Sequence, residues 1–303
     1  MYRILSLDGG GLRGVLTAKL LERLETNHPG FLSQVDLFAG TSTGGVLALG
    51  LALGLSPTRM GQLYTEAADT VFTDSVWDDI RDLGKLTGAE YSNQSLKQAI
   101  LDLVGEITLG DLPKRVLISS FQLDNNSRTP GVPRTWKPKF FHNFPSPNSD
   151  AHEKVVDVAI RTGSAPSYFP IYQGYVDGGV VVNNPGMCAL AQALHPETGG
   201  QRLEDVTLLS IGTGIISKYL TEKDADWGLA QWAPHLFSIM LEGGVGVVDY
   251  QCQQILGKRY LRIDPVLPVS MGMDDLAQIP IMQEVGQLED LRTALDWLKR
   301  HYK

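Results

Sequence analysis

The sequence predicts an α/β fold with a central, mostly parallel sheet held between helical layers. Two observations carry that expectation. Short apolar strands alternate with helical segments along most of the chain, and two of the early strands end in glycine-rich turns that lead straight into helices. No break in composition marks a second domain, and there is no repeat or low-complexity linker, so residues 1–303 read as one domain.

Taken in order, residues 3–7 form the first strand, Asp8-Gly9-Gly10-Gly11 the first turn and residues 12–24 the first helix. Leu12, Leu16, Leu20 and Leu24 recur four apart with Leu21 beside them, which gives that helix one apolar face. Asn27-His28-Pro29-Gly30 stops it. Residues 35–39 make the next strand, followed by a second glycine-rich turn, a helix over 44–54 and another over 57–70. Beyond an irregular stretch at 73–95, residues 95–104 read as helix, 115–123 as a strong strand and 139–143 as a weaker one. Residues 129–138 hold three prolines and a glycine and should be loop, as should the polar stretch 145–152.

A helix over 154–161 ends near Gly163 and Pro166. Tyr175-Val176 enters the turn Asp177-Gly178-Gly179, and Asn184-Pro185 precedes a helix to about Leu194. Residues 206–211 read as a buried strand closed by Gly212-Thr213-Gly214. A glycine-interrupted apolar stretch covers 227–248, a late strand 259–263, and one closing amphipathic helix 280–301.

The net charge of −8 argues against a nucleic-acid partner and against broad adhesion to anionic membrane. Two cysteines, Cys188 and Cys252, make no disulfide framework and have no metal-ligand spacing. The apolar run at 4–7 is too short for a signal-peptide core. The run at 46–55 is about half a membrane span and reads as a buried helix. The expected location is cytoplasmic, soluble or peripheral.

Gly40-Thr41-Ser42-Thr43-Gly44 fits G-x-S-x-G, with a strand before it and a helix after it. A serine that projects its hydroxyl from a sheet edge needs a sharp turn, and flanking Gly40 and Gly44 let backbone pass closely. The following helix also turns its amide end toward the site, which favours developing negative charge. A plain loop with a helix N-cap is the competing use of the same residues.

Gly9-Gly10-Gly11-Leu12-Arg13-Gly14 satisfies G-x-G-x-x-G and raises a dinucleotide-binding fingerprint. That fingerprint also needs an acidic residue roughly 20 positions on, at the end of the second strand. Asp36 lies at the beginning of that strand, which ends instead in the Ser42 turn. Three consecutive glycines serve equally as an oxyanion hole, whose donors are worth roughly 3–4 kcal/mol each, or as a tight turn alone.

A nucleophilic serine needs a base. None of His28, His142, His152, His195, His235 and His301 sits in a glycine-rich turn. His195 suits a helix C-terminus better than catalysis. Asp177 precedes Gly178 and Gly179 between a strand and a polar turn, where a carboxylate can be brought against another backbone; on local grounds alone it is an ordinary turn aspartate.

Asp8-Gly9-Gly10-Gly11-Leu12-Arg13-Gly14, Gly40-Thr41-Ser42-Thr43-Gly44-Gly45 and Asp177-Gly178-Gly179, in this order, resemble the signature set of the patatin-like phospholipases. Ala165-Pro166-Ser167-Tyr168-Phe169-Pro170, Asn183-Asn184-Pro185, Ile211-Gly212-Thr213-Gly214 and Tyr260-Leu261-Arg262-Ile263-Asp264 extend the likeness over about residues 3–265. Residues 266–303 form a less anchored helical part. The chain departs at Arg161-Thr162-Gly163-Ser164, where the family more often has small residues, commonly Ala-Thr-Ser-Ala.

The resemblance implies a three-layer α/β/α fold related to the catalytic domain of cytosolic phospholipase A2. It implies hydrolysis of fatty-acyl esters through a dyad, with Ser42 as nucleophile and Asp177 as base. It further implies an oxyanion hole at Gly9, Gly10 and Gly11, braced by Arg13, with Gly14, Gly40, Gly44, Gly178 and Gly179 in support and no metal or cofactor. The partner is then an acyl lipid, with transient membrane contact; residues 227–241 are a lid, an interfacial helix or core, and residues 71–77 a second mouth candidate. Two other classes stay open: a signalling or defence effector of the same fold, switched on by a partner or nucleotide, and a dinucleotide-binding enzyme.

Overall fold

The computed structural model describes residues 1–71, 93–217, 219–220, 226–268 and 275–303. Seven strands form one sheet among them: β1 (Tyr2–Leu7), β2 (Leu37–Thr41), β3 (Arg115–Gln122), β4 (Lys137–His142), β5 (Tyr175–Asp177), β6 (Val206–Ile211) and β7 (Tyr260–Ile263). Their order is β4-β3-β2-β1-β6-β7, with β5 also paired to β3. Strands β1, β2, β3, β6 and β7 run parallel, and β4 and β5 lie antiparallel to β3.

Strands β2 and β6 are buried along their whole length, which is why they read as continuous apolar runs rather than alternating ones. Successive side chains point to opposite faces. Leu5 and Leu7 enter one core with α1 (Gly14–Asn27), α2 (Thr43–Leu53), α3 (Pro57–Val71), α4 (Asn93–Val104) and α5 (Val155–Gly163). Ile4, Leu37 and Leu208 enter a second core with α6 (Gly186–Leu194) and α7 (Leu229–Leu256). The result is the expected three layers, with helices on both faces of a mostly parallel sheet.

The closing helix differs from the sequence expectation. It is two helices, α8 (Ile279–Leu288) and α9 (Arg292–His301). The Asp290 carboxylate accepts the Arg292 amide at 3.0 Å, so a local side-chain bond opens a new helix where the amphipathic period alone would have continued the old one.

Register places the site. Leu7 pairs with Gly40 on one side and Ile211 on the other, so β1, β2 and β6 end level, and their following turns share one edge of the sheet. Strand β3 continues past the end of β2: Thr41 pairs with Ser119, and the next β3 residue, Ser120, pairs with Asp177 of β5. The Ser42 turn and Asp177 are therefore neighbours through β3, although 135 positions separate them in the sequence. Ligands of open α/β sheets bind at this carboxyl edge, where connections leave in opposite directions.

Candidate active site

Ser42 joins β2 to α2 with φ 55° and ψ −126°, a conformation that non-glycine residues rarely adopt. A Cβ at Gly40 would lie 2.1 Å from the Gly44 carbonyl oxygen, and one at Gly44 would lie 2.3 Å from that of Leu7. Those two glycines are what allows the turn to close so tightly. The Ser42 amide donates to Thr162 Oγ1 at 2.8 Å. Thr43 Oγ1 and the Tyr64 hydroxyl are hydrogen-bonded to each other, and Tyr64 also donates to the Thr43 carbonyl at 3.1 Å.

The Asp177 carboxyl is buried within hydrogen-bonding reach of the Ser42 side chain. Its Oδ1 accepts the Gly179 amide at 2.6 Å, and its own amide donates to the Ser164 carbonyl at 2.9 Å. Burial pushes the carboxyl up to about 6, against the pull of the bonds from Ser42 and Gly179. A carboxylate in this position is a far better proton acceptor near neutral pH than one in water. Gly178 is required for the approach, since a Cβ there would lie 2.5 Å from the Ser119 carbonyl oxygen.

The glycine turn after β1 packs on the same place. A Cβ at Gly9 would lie 3.1 Å from Ser42 Cβ. The Gly9 amide donates to the Asn183 carbonyl at 3.1 Å, and its carbonyl accepts from Thr213 Oγ1 at 2.9 Å. Among the described residues no acceptor engages the amides of Gly10, Gly11 or Thr43. Arg13 ties the turn to its neighbour, donating from Nε to the Gly10 carbonyl at 3.4 Å and from Nη1 to the Gly214 carbonyl at 3.2 Å. Gly14 lies against the Thr43 and Tyr64 side chains.

A pocket of about 100 Å³ opens beside these groups. Gly11, Ser42 and Thr43 line it together with an apolar wall of Leu12, Val46, Leu63, Leu96, Ala99, Ile100 and Phe169. Arg161, the first residue of the stretch that departs from the pattern the sequence resembles, turns away from the pocket. Its guanidinium donates to Glu153 at 2.8 Å and to Gln173, and lies over the rings of Phe141 and Tyr175. Gly163 reaches the pocket wall in its place.

Residues 227–241 belong largely to the start of α7. Trp232, Leu236, Ile239 and Met240 are exposed, so this segment is not simply core. Leu241 approaches Gly179, which brings the helix beside the Asp177 turn. The second mouth candidate, residues 71–77, lies beyond Val71 outside the described residues. Among the described residues no helix is long and apolar enough to cross a membrane, and no group of three or more His, Cys, Asp or Glu is placed to hold a metal.

Three residues support the site through contacts that no local sequence pattern announces, although Asn183 and Arg262 lie in segments that share the family likeness. Thr162 lies in the last turn of α5, Asn183 follows the Asp177 turn by several residues, and Arg262 on β7 pairs with Asp8 and Asp264 under the Gly9 turn. Each acts through a partner distant in sequence.

Residues 5–189 match the family described as patatin-like phospholipase. CotR of Bacillus subtilis is 30% identical, with 99% of this chain and 98% of that protein covered. A cGAMP-activated phospholipase of Pseudomonas aeruginosa is 34% identical, with 87% and 78% covered. Among solved structures, the heterodimeric ExoU–SpcU complex of Pseudomonas aeruginosa aligns with 99% of this chain and 52% of that chain, at 15% identity and a TM-score of 0.44. The match includes the Gly9 and Ser42 turns and Asp177, and with a relative covered almost end to end the chain belongs to the patatin-like phospholipase family.

Proposed function

We propose that this protein is a lipid acyl hydrolase in which Ser42 is the nucleophile and Asp177 the base. The observation that carries this is the Ser42 hydroxyl, held on a strained turn within reach of a buried carboxyl and lining an apolar pocket. Asp177 takes the hydroxyl proton as Oγ attacks the ester carbonyl. The resulting oxyanion is met by the free amides of Gly10, Gly11 and Thr43, while Gly9, whose amide is engaged by Asn183, lets the backbone pass close to Ser42. Collapse expels the alcohol or lysolipid with the proton from Asp177. Water, giving a proton to Asp177, then attacks the acyl-Ser42 carbonyl, and collapse frees the fatty acid as that proton passes from Asp177 back to Ser42 Oγ. The acyl chain lies in the apolar pocket, and the exposed face of α7 rests against the lipid surface. No step needs a metal or cofactor.

The test is hydrolysis of a fatty-acyl p-nitrophenyl ester by the wild type and by Ser42→Ala, with products from defined phospholipid, galactolipid and triacylglycerol identified by mass. Full activity in a folded Ser42→Ala protein sinks the mechanism. One observation favours a regulated form of this reading: the likeness to cGAMP-activated phospholipases. Basal turnover that rises on adding a cyclic dinucleotide distinguishes an effector-switched enzyme from a constitutive one.

A further inference from the structure

We infer that Thr162 is a positioning residue: its hydroxyl holds the backbone of Ser42 in the conformation that presents Oγ to Asp177. The inference rests on the reading of Ser42 as nucleophile proposed above.

The direction of each bond is fixed by chemistry. The Ser119 carbonyl, 2.5 Å from Thr162 Oγ1, can only accept, so the threonine proton goes there. A lone pair of the same oxygen is then left for the Ser42 amide at 2.8 Å. One hydroxyl thus clamps the nucleophile's turn to β3, the strand that also carries Asp177 through the Ser120 pairing. The threonine has no freedom to do otherwise. It is fully buried, and a Cβ at Gly45 would lie 2.8 Å from its methyl, so the side chain is seated against α2.

The clamp matters because of where it is applied. Ser42 sits at φ 55°, a conformation that persists only where its surroundings determine it. Its amide lies at the head of α2, where no carbonyl of that helix can reach it. Without Thr162 that part-buried amide would be unpaired, and relaxing the turn to satisfy it would swing Oγ away from the carboxyl. Two residues further along, the Ser164 carbonyl accepts the Asp177 amide at 2.9 Å, and its hydroxyl bonds back to the Ile160 carbonyl at 2.8 Å. Nucleophile and base are therefore hung from the same end of α5, and their separation is set by a segment that touches neither reacting atom.

The experiment compares the wild type with Thr162→Val, which keeps the shape and removes the hydroxyl, and Thr162→Ser, which keeps the hydroxyl and removes the methyl. Three quantities are measured: kcat and KM on a soluble short-chain p-nitrophenyl ester, the rate of Ser42 labelling by a fluorophosphonate, and the melting temperature. Thr162→Val is expected to lower kcat and the labelling rate together by about 10- to 100-fold, with KM within about twofold. Thr162→Ser is expected to keep kcat within about threefold, even if its melting temperature falls. A purely structural role would move melting temperature alone. Wild-type kcat in Thr162→Val, or a folded Thr162→Ser that loses about tenfold or more, overturns the inference; the serine arm decides it even if the valine protein does not fold. A wild type that neither hydrolyses the ester nor takes the label, with or without added cyclic dinucleotide, sinks the reading of Ser42 itself, and this inference with it.

Discussion

Arg262 donates from Nη2 to Asp8 Oδ2 across 2.7 Å, with the two side chains only 12% and 3% exposed. The same nitrogen reaches Asp264 Oδ2 at 2.6 Å, and Nη1 donates to Ser210 Oγ at 2.8 Å. Asp264 in turn accepts the Gly214 amide at 2.9 Å. One guanidinium thus fastens the ends of β1, β6 and β7 directly beneath the turn that carries Gly9, Gly10 and Gly11.

Removing that guanidinium leaves two carboxylates buried beside each other. Arg262→Met is expected to lower the unfolding free energy by about 3–5 kcal/mol, the usual consequence of stripping one partner from a buried ion pair. Arg262→Lys keeps the charge and loses the planar fork, so it should fall between the two. Urea unfolding measures both. A loss below about 1 kcal/mol for Arg262→Met would mean that the pair adds little, as exposed pairs do.

The Asp177 carboxyl gives a pH dependence with a definite sign. In the proposed role of base it must be ionised, and burial holds it up to about 6. The wild-type rate should therefore rise with pH, reach half its plateau near pH 6 and stay level through neutrality. Stability runs the other way. The folded carboxyl binds its proton more tightly than the unfolded one, so the contribution is complete below about pH 4 and is lost as pH rises through 6. Asp177→Asn keeps an acceptor for the Gly179 amide and carries no charge. It should be inactive yet more stable than wild type at pH 8, by about 2–3 kcal/mol at most, with the gain gone near pH 4. Paired rate profiles and denaturation curves at the two pH values check it. An activity profile flat from pH 4 to 8 would remove Asp177 from the role of base.

The pocket predicts a chain-length effect. Ala99 on α4 is a small residue in an otherwise larger apolar wall that includes Leu96 and Ile100. Ala99→Leu adds three more carbons to the pocket wall, where the proposed function places the acyl chain. On a p-nitrophenyl ester series it should leave the acetate rate unchanged and lower kcat/KM for the decanoate by roughly 10-fold or more, the scale on which apolar pockets discriminate by methylenes. Equal losses on both esters would place the acyl chain elsewhere.

Much of the architecture was legible because the strands are buried on both faces. Residues 206–211 could hardly be anything but a central strand, and they form β6 with the expected bounds. The Ser42 turn was legible because a sharp turn demands glycines at its flanks, and glycines are visible in sequence; Asp177 reads locally as an ordinary turn aspartate, and only the family resemblance sets it beside Ser42. Thr162 was not. Its partner lies 120 positions away, and a buried threonine near a helix end looks the same whether its hydroxyl serves another backbone or its own. Arg262 was hidden for the same reason, since a charge on a late strand gives no sign of a partner at Asp8. The break between α8 and α9 was missed because the apolar period runs on across it, while the bond that starts the second helix belongs to one aspartate. Sequence pattern reports burial well and long-range pairing poorly.

The exposed face of α7 yields the last prediction. Trp232, Leu236, Ile239 and Met240 follow helical spacing along one side, and Val247 and Tyr250 continue it. Met240 is 66% exposed, a state that water does not favour for so apolar a side chain. Trp227 packs against Trp232 and His235 at the helix start, placing amphipathic rings at one end of the face. If this face meets the lipid, substitutions there should separate two activities that share one set of reacting groups. Leu236→Ser with Met240→Ser is expected to reduce hydrolysis of phosphatidylcholine in vesicles by about 10-fold or more, from the apolar area no longer buried in the membrane. Turnover of a soluble short-chain ester should stay at the wild-type level, because neither residue lines the pocket. Vesicle sedimentation should show the same loss of binding as the rate. Unchanged vesicle hydrolysis would assign the face to another role, and a change in self-association on the same substitutions would identify a second copy of the chain as its cover.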